Sequence, residues 1–402
     1  MQVICYSRSR TYFIFILVEL LIKLLLFLKL PLIDRYIINE LILFFLFSVG
    51  LLSSLGVAIG TVSDLAYKTT EYNLPISVAI LIFSYKIPEY IAYALPISTL
   101  LTTLIIYGRL SSDRELIALG SFGVNIYRLI TPALVFSLAV TVITFLLNEL
   151  IVPAANYQAN LIQNPFIPKT ELNLQKKDIF YPEYEQSFTD GELAVSKLKR
   201  IYFAEQYQDK SLEEITIICF AQDKIDQIIT AQSAQWNQDY QVWDLFEVEI
   251  NNISEDIESI VNHKFRHKQL PLSSVMFQII AQERSPEDMN IRQAKKYQIL
   301  IQDSGQEQEI ARFAVRIQQK YAFPFICFVF ALIGSALGAN YSQINKSQGF
   351  GLCVAIVFIY YLLGFALGSL GIAGIVSPLV AAWLPNILCL NVGIWLSQTA
   401  NN

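Results

Sequence analysis

The sequence predicts an α-helical membrane protein with six transmembrane helices, three plus three around an inserted extracytoplasmic β domain of jelly-roll or sandwich type. Three observations carry this expectation. The 402 residues are 54% hydrophobic and only 16% charged, whereas soluble domains carry about 25% charged residues. Uncharged apolar stretches long enough to cross the bilayer as helices, which takes roughly 20 residues each, fall into two groups. Between the groups the chain turns polar and acidic, with 16 Lys+Arg against 25 Asp+Glu in residues 156–312. A net acidic middle also argues against nucleic-acid binding, which needs a positive stripe against phosphate.

Residues 1–33 read as an amino-terminal extension. Its segment Tyr12 to Leu30 is apolar but carries Glu19, Lys23 and Lys29 and stops at Pro31, which suits an amphipathic helix lying in the interface. A seventh span is the alternative. Arg8 and Arg10 ahead of it give a signal-like appearance, yet no small-x-small cleavage site follows.

The first membrane half, 34–155, holds candidate spans at Leu41 to Val62, Ile87 to Tyr107 and Leu129 to Leu147. The second half, 306–398, holds Phe323 to Ala339, Gly349 to Leu370 and Ile372 to Leu396. Arg8, Arg10 and Arg35 precede the first span, Arg109, Arg114 and Arg128 lie between the second and third, and Lys346 lies between the fourth and fifth. Basic residues near spans stay on the cytoplasmic side, so these segments are expected inside and the insert, 156–305, outside.

The insert reads as β. Tyr240, Val242, Phe246, Val248 and Ile250 are expected on one face and Gln241, Glu247 and Glu249 on the other, a period of two broken at Asp244. Leu193 to Phe203 and Glu214 to Ala221 are further strand-like runs, with a turn at Thr189-Asp190-Gly191. Met289 to Leu300 and Glu307 to Tyr321 are expected as helices, the second entering the fourth span.

No GxxxxGK[ST] phosphate loop occurs, so any ATP hydrolysis belongs to another chain. The chemistry-bearing segment is instead Gly108-Arg109-Leu110-Ser111-Ser112-Asp113-Arg114-Glu115-Leu116-Ile117-Ala118-Leu119-Gly120. Ser111 or Ser112 is expected to cap a short helix with Asp113 and Glu115 in its first turn, where negative charge suits the dipole. Two readings stand side by side: a solvated hairpin end, or a coupling helix whose Glu115, Arg109 and Arg114 make charge-assisted hydrogen bonds to an ATPase.

The run from Ala94-Leu95-Pro96 through Gly108-Arg109-Leu110 and Glu115-Leu116 to Gly120-Ser121-Phe122-Gly123 resembles the LptF/LptG (YjgP/YjgQ) family of lipopolysaccharide-export permeases. So do Asp34-Arg35-Tyr36-Ile37, Gly349-Phe350-Gly351, Tyr360-Tyr361, Gly371-Ile372, Pro378 and Trp383-Leu384-Pro385-Asn386. The resemblance implies two six-span permease subunits, identical or paralogous, each with a periplasmic jelly roll, on a cytoplasmic ABC ATPase dimer. It further implies a lipid substrate drawn from the inner membrane and handed to a periplasmic bridge protein. Glu115 then matches the acidic residue of the coupling helix and Arg109 its basic neighbour. Asp64 and Lys68 would be the charges nearest a lipid head group beside a first-span gate. Two departures are a longer amino terminus and Ser335-Ala336-Leu337-Gly338 where the family usually ends the fourth span with Pro-Leu-Gly.

Other residues have blander readings beside functional ones. Asp64 and Lys68 also suit a solvated pair one turn apart, and Arg312, Arg316 and Lys320, at four-residue steps, suit either lipid phosphates or snorkelling to the interface. Phe246 is expected among the residues lining an apolar β-domain interior open to lipid. His263 and His267 have a metal-pair spacing, but Lys264, Arg266 and Lys268 surround them, so a solvated strand or turn is expected and no metal or cofactor. The five cysteines, with no CxxC spacing, suggest neither zinc nor a disulfide framework.

Glu40, Glu89 and Glu149 sit at span ends, so the buried carboxylate of a proton-driven carrier is not evident. The competing function is a membrane-anchored interaction protein whose β domain binds a partner outside. Richness in Ile, Asn, Lys and Tyr suggests an AT-rich genome, placing the chain in a bacterial inner membrane or, if plastid-encoded, a plastid membrane.

Overall fold

The computed structural model describes residues 31–72, 74–166, 177–185, 197–208, 211–221, 224–237, 240, 242–253, 260–270, 288–302, 307–340 and 346–399. The expected interfacial helix at 12–30 and the turn at Thr189-Asp190-Gly191 lie outside the described residues.

Helix α1 (Leu32–Val57) runs through a π turn (Ala58–Val62) into α2 (Ser63–Glu71) as one apolar rod. Helix α3 (Ile76–Ser112) returns, and the seven-residue α4 (Glu115–Ser121) joins it to α5 (Ile126–Leu146). A second π turn (Leu147–Ile151) continues α5 into α6 (Val152–Gln163). After the strands come α7 (Ile291–Gln302), α8 (Glu307–Asn340), α9 (Lys346–Ile372) and α10 (Pro378–Thr399). Six of these rods are long and apolar enough to cross a membrane. The start of α1, α4 and the end of α8 share the far end of the bundle, opposite the end that bears the strands.

Local chemistry sets the boundaries. The Asn125 side chain accepts from Tyr127 N at 3.0 Å and caps α5. Helix α9 stops because Gly374 adopts φ +76° and Ile375 N returns to Leu370 O at 3.1 Å, a left-handed C-terminal cap. Helix α10 then starts with Pro378 in its first position, where a missing N–H costs nothing. The last span thus begins six residues later than the sequence suggested, since Ile372 closes α9. Pro88 and Pro96 lie inside α3 without ending it, as membrane helices allow when neighbours satisfy the freed backbone groups.

Helices α3 and α8 form the centre and are mostly buried, whereas the first rod and α9 are mostly exposed. The central pair meets backbone to backbone: a Cβ added at Gly338 would lie 2.8 Å from Leu104 O and from Gly108 N, and one at Gly334 would lie 2.9 Å from Leu100 O. This close approach explains the small residues of Gly334-Ser335-Ala336-Leu337-Gly338, since without a hydrophobic driving force membrane helices associate through tight packing. At the outer edge of that contact, Tyr360 Oη donates to Asn386 Oδ1 at 2.7 Å, and Asn386 Nδ2 donates to Ala322 O at 2.8 Å. These bonds link α9, α10 and α8.

The insert holds β1 (Lys177–Glu185), β2 (Lys197–Gln208), β3 (Ser211–Ala221), β4 (Lys224–Asn237), β5 (Val242–Ile253) and β6 (Ile260–Leu270), antiparallel and paired in chain order. The described strands make a six-stranded meander; neither a crossover nor the second sheet of a jelly roll occurs among the described residues.

Burial alternates along each strand but shifts by one along a single row. β3 buries Leu212, then Ile215 and Ile217; β4 buries Ala234, then Ala231 and Ile229; β5 buries Trp243 and Leu245, then Val248 and Ile250. Glu214 and Glu247 occupy the break with φ +49° each, and Gln232 lies between them in the register of β4. The pairing stays one to one across this row, with Glu213 opposite Ser233 and Ile215 opposite Ala231, then Ser233 opposite Phe246 and Ala231 opposite Val248, so the strands change their buried parity together and the same face stays apolar.

The break corrects the expected face of β5. Tyr240 is an exposed turn residue ahead of the strand, at 73% exposure, and Phe246 is 37% exposed on the side opposite Leu245. The interior belongs to Trp243 and Leu245, which simple alternation from Val248 assigns outward.

Candidate functional site

The far end of the bundle holds the coupling candidates Arg109, Arg114 and Glu115. Helix α3 runs through Ser112, and Ser111 donates to Ala339 O at 3.1 Å, fastening α3 to the last turns of α8. The expected cap is corrected: Ser111 and Ser112 are the last residues of α3, Asp113 follows them ahead of α4, and α4 has Arg114 at its N-cap with no side-chain bond, so of the expected first-turn acids only Glu115 lies in that helix. The chain breaks instead at Arg114, whose left-handed φ of +62° reverses direction before α4. Arg114 O still accepts from Ala118 N at 2.9 Å.

Arg109 Nη1 donates to Glu40 Oε2 of α1 at 3.2 Å, and Tyr36 Oη donates to Glu115 Oε1 at 3.4 Å. Arg128 Nη2 of α5 reaches Asp34 Oδ2 at 2.7 Å. The foot of α1 thus holds one contact to each of α3, α4 and α5. Leu116 turns into the bundle core beside Leu110 and Leu129. Ile117 and Phe122 face outward, at 62% and 85% exposure.

Two of the expected coupling residues, Arg109 and Glu115, are brought to this foot, while Arg114 stays exposed at the turn. Tyr36, Glu40, Ile117 and Phe122 were missed by sequence reasoning. Ile117 and Phe122 were legible as apolar residues in a short polar loop; Tyr36 and Glu40 were not, because their partners lie 79 and 69 residues away.

At the strand-bearing end three of the candidate charges, Asp64, Lys68 and Arg312, are paired within their own helices. Lys68 Nζ donates to Asp64 Oδ2 at 2.6 Å, and Arg312 Nη1 donates to Glu309 Oε1 at 3.2 Å. Arg316 is half-buried on α8 and Lys320 donates to Met289 O. Glu149 accepts from Ile291 N with both oxygens, at 3.1 and 3.0 Å, capping α7, and Asn160 Nδ2 donates to Asp288 Oδ2 at 2.8 Å. The junction between the insert and the helices is thereby tied to the second π turn, α6 and α8.

On the insert, His267 Nε2 lies 3.2 Å from Asp244 Oδ1, and its ring lies 5.1 Å from that of Phe246. His263 and His267 both stand on β6, and no cluster of metal-ligating residues occurs among the described residues. Asp244 also accepts from Asn237 at 2.9 Å and Gln269 at 2.8 Å. Those bonds, led by Asn237, hold its carboxyl below the usual range.

Residues 35–399 match the family described as lipopolysaccharide export system permease LptF/LptG. The chain belongs to the LptF/LptG family. It is also 20% identical over 325 residues, covering 79% of this chain and 85% of the relative, to the lipopolysaccharide export system permease protein LptG of Haemophilus influenzae. Six apolar helices and an antiparallel β insert fit a multi-pass inner-membrane permease of this family. LptF/LptG permeases are transporter components, not themselves enzymes.

Proposed function

We propose that this LptF/LptG member extracts a lipopolysaccharide-like amphiphile from the inner membrane and passes it through its β insert to a periplasmic bridge, driven by a separate ATPase dimer. In this reading residues 34–155 and 306–398 each supply three spans. Residues 156–305 are the periplasmic domain, of jelly-roll type. The far end faces the cytoplasm, as the arginines around it require. A second subunit of the same family completes the permease.

One observation supports the reading most directly. Helix α4 and the residue that caps it carry a carboxylate, Glu115, and two exposed apolar side chains, Ile117 within the helix and Phe122 just after it, on a short arm pinned to α1 and α3. An exposed aromatic next to a charge is the make-up of an interface anchor. Asp64, Lys68, Arg312 and Arg316 at the opposite end are the candidates for meeting lipid head groups. Phe246, on the outer side of the sheet, is a weaker candidate than the apolar face behind it.

The test is co-purification with the ATPase and lipid release from reconstituted vesicles. Glu115→Lys is expected to abolish both while the chain remains inserted, because the proposed pair between Glu115 and a basic residue of the ATPase is lost, and removing one member of a semi-buried interfacial charge pair costs about 2–5 kcal/mol. Normal association and release in Glu115→Lys would overturn the docking role.

A further inference from the structure

The first rod is interrupted where a neighbour presses into it. Gly56 and Gly60, one turn apart, share a face of the helix, and the Tyr90 side chain of α3 lies across both. A Cβ on Gly56 would come 2.9 Å from Tyr90 Cδ1, and one on Gly60 would come 2.0 Å from the Tyr90 hydroxyl oxygen and 2.8 Å from Cζ. No larger residue fits that notch without moving the ring. The same stretch, Ala58–Val62, is wound as a π turn, in which the regular i→i−4 ladder is lost for one turn; such turns concentrate at functional positions.

The parts of the rod on either side are anchored separately. Below the turn, Ile37, Leu41 and Phe45 belong to the main core with Leu95, Leu129 and Phe136. Above it, Leu65 belongs to a small cluster with Leu74, Ile82 and Ala159. Ile59, Gly60, Val62, Ser63 and Asp64 between them are exposed. Two anchored segments joined by a π turn, with an aromatic ring seated in a glycine notch beside it, make a pivot.

We infer that α1 and α2 are two arms of a hinge at Ala58–Val62 that turns on the Tyr90 ring, so that Ser63–Glu71 tilts while Leu32–Val57 stays fixed to the bundle. The glycines let the ring slide across the notch, and the π turn absorbs the change in winding. The device concerns motion of this chain and holds whatever the cargo is.

Paired spin labels test it in the full chain reconstituted in lipid nanodiscs, with the native cysteines replaced. One pair joins the outer arm to the far end, Ala66→Cys with Tyr127→Cys; the reference pair joins the inner arm, Leu43→Cys with Tyr127→Cys. The outer pair is expected to give a broader distance distribution than the reference. Gly60→Ala, which collides with Tyr90, is expected to collapse that distribution to one narrower, displaced peak. Gly50→Ala, which meets nothing within 4 Å, is expected to match the wild type. Tyr90→Ala, which removes the pivot without adding a clash, is expected to broaden the outer pair further. Equal narrow widths for both wild-type pairs, or an outer distribution unchanged by Gly60→Ala and Tyr90→Ala, would overturn the hinge.

Discussion

The guanidinium of Arg109 donates to the carboxylate of Glu40 at 3.2 Å, so the basic residue near the end of α3 is engaged by the foot of the first helix. Both side chains are about one-third exposed, and such pairs contribute only about 0–1 kcal/mol. Arg109→Ala and Glu40→Ala are therefore expected to leave thermal unfolding in detergent almost unchanged. Their effects on ATPase-coupled lipid release are expected to be non-additive, with the double variant no worse than the poorer single one. Fully additive losses would show that Arg109 acts without Glu40.

Gly338 and Gly351 offer a matched pair. Gly338 faces the α3 backbone at 2.8 Å, whereas Gly351 has nothing within 4 Å of an added Cβ. Gly338→Ala is expected to destabilise the bundle by about 1–3 kcal/mol through overpacking. Gly351→Ala should be neutral or slightly stabilising, since alanine is the better helix former. Denaturation midpoints in mixed detergent micelles separate the two.

Asn386 bridges Tyr360 and Ala322 inside the bundle. Asn386→Leu leaves a buried hydroxyl without its acceptor and a carbonyl without one donor, which is expected to cost about 1–3 kcal/mol. Asn386→Leu combined with Tyr360→Phe should recover part of that loss, because the stranded hydroxyl is then removed as well. The same unfolding assay reads both variants.

Asp244 gives the insert a pH dependence. Its carboxyl is held below its ordinary value of 3.8 in the folded state, so its contribution is present above that value and lost as pH falls through the lower folded one. Tryptophan fluorescence of Trp236 and Trp243, whose rings lie 5.6 Å apart, is expected to report loosening of β5 and β6 on acidification below about pH 4. Asp244→Asn should flatten that part of the profile; an unchanged acid transition would place its origin elsewhere.

The sequence by itself determined the presence of six apolar helices, a β insert and a short charged segment at α4, though not the start of the last helix, which lies at Pro378 rather than Ile372. Each follows from local composition: apolar runs of membrane length, period-two alternation, and a charged loop between two spans. It also held Glu115, Ile117 and Phe122 together in one short segment. Tertiary structure alone decided which charges meet, because Arg109–Glu40 and Tyr36–Glu115 join residues 69 and 79 positions apart. Tertiary structure likewise decided which face of β5 is buried. Alternation specifies a face only while the pleat is unbroken, and the positive φ of Glu247 shifts it by one residue, turning Phe246 out and Leu245 in. The small residues Gly56, Gly60, Gly334 and Gly338 were visible in the chain, but their meaning lies in what approaches them: a tyrosine ring for the first two, and α3 for the second two.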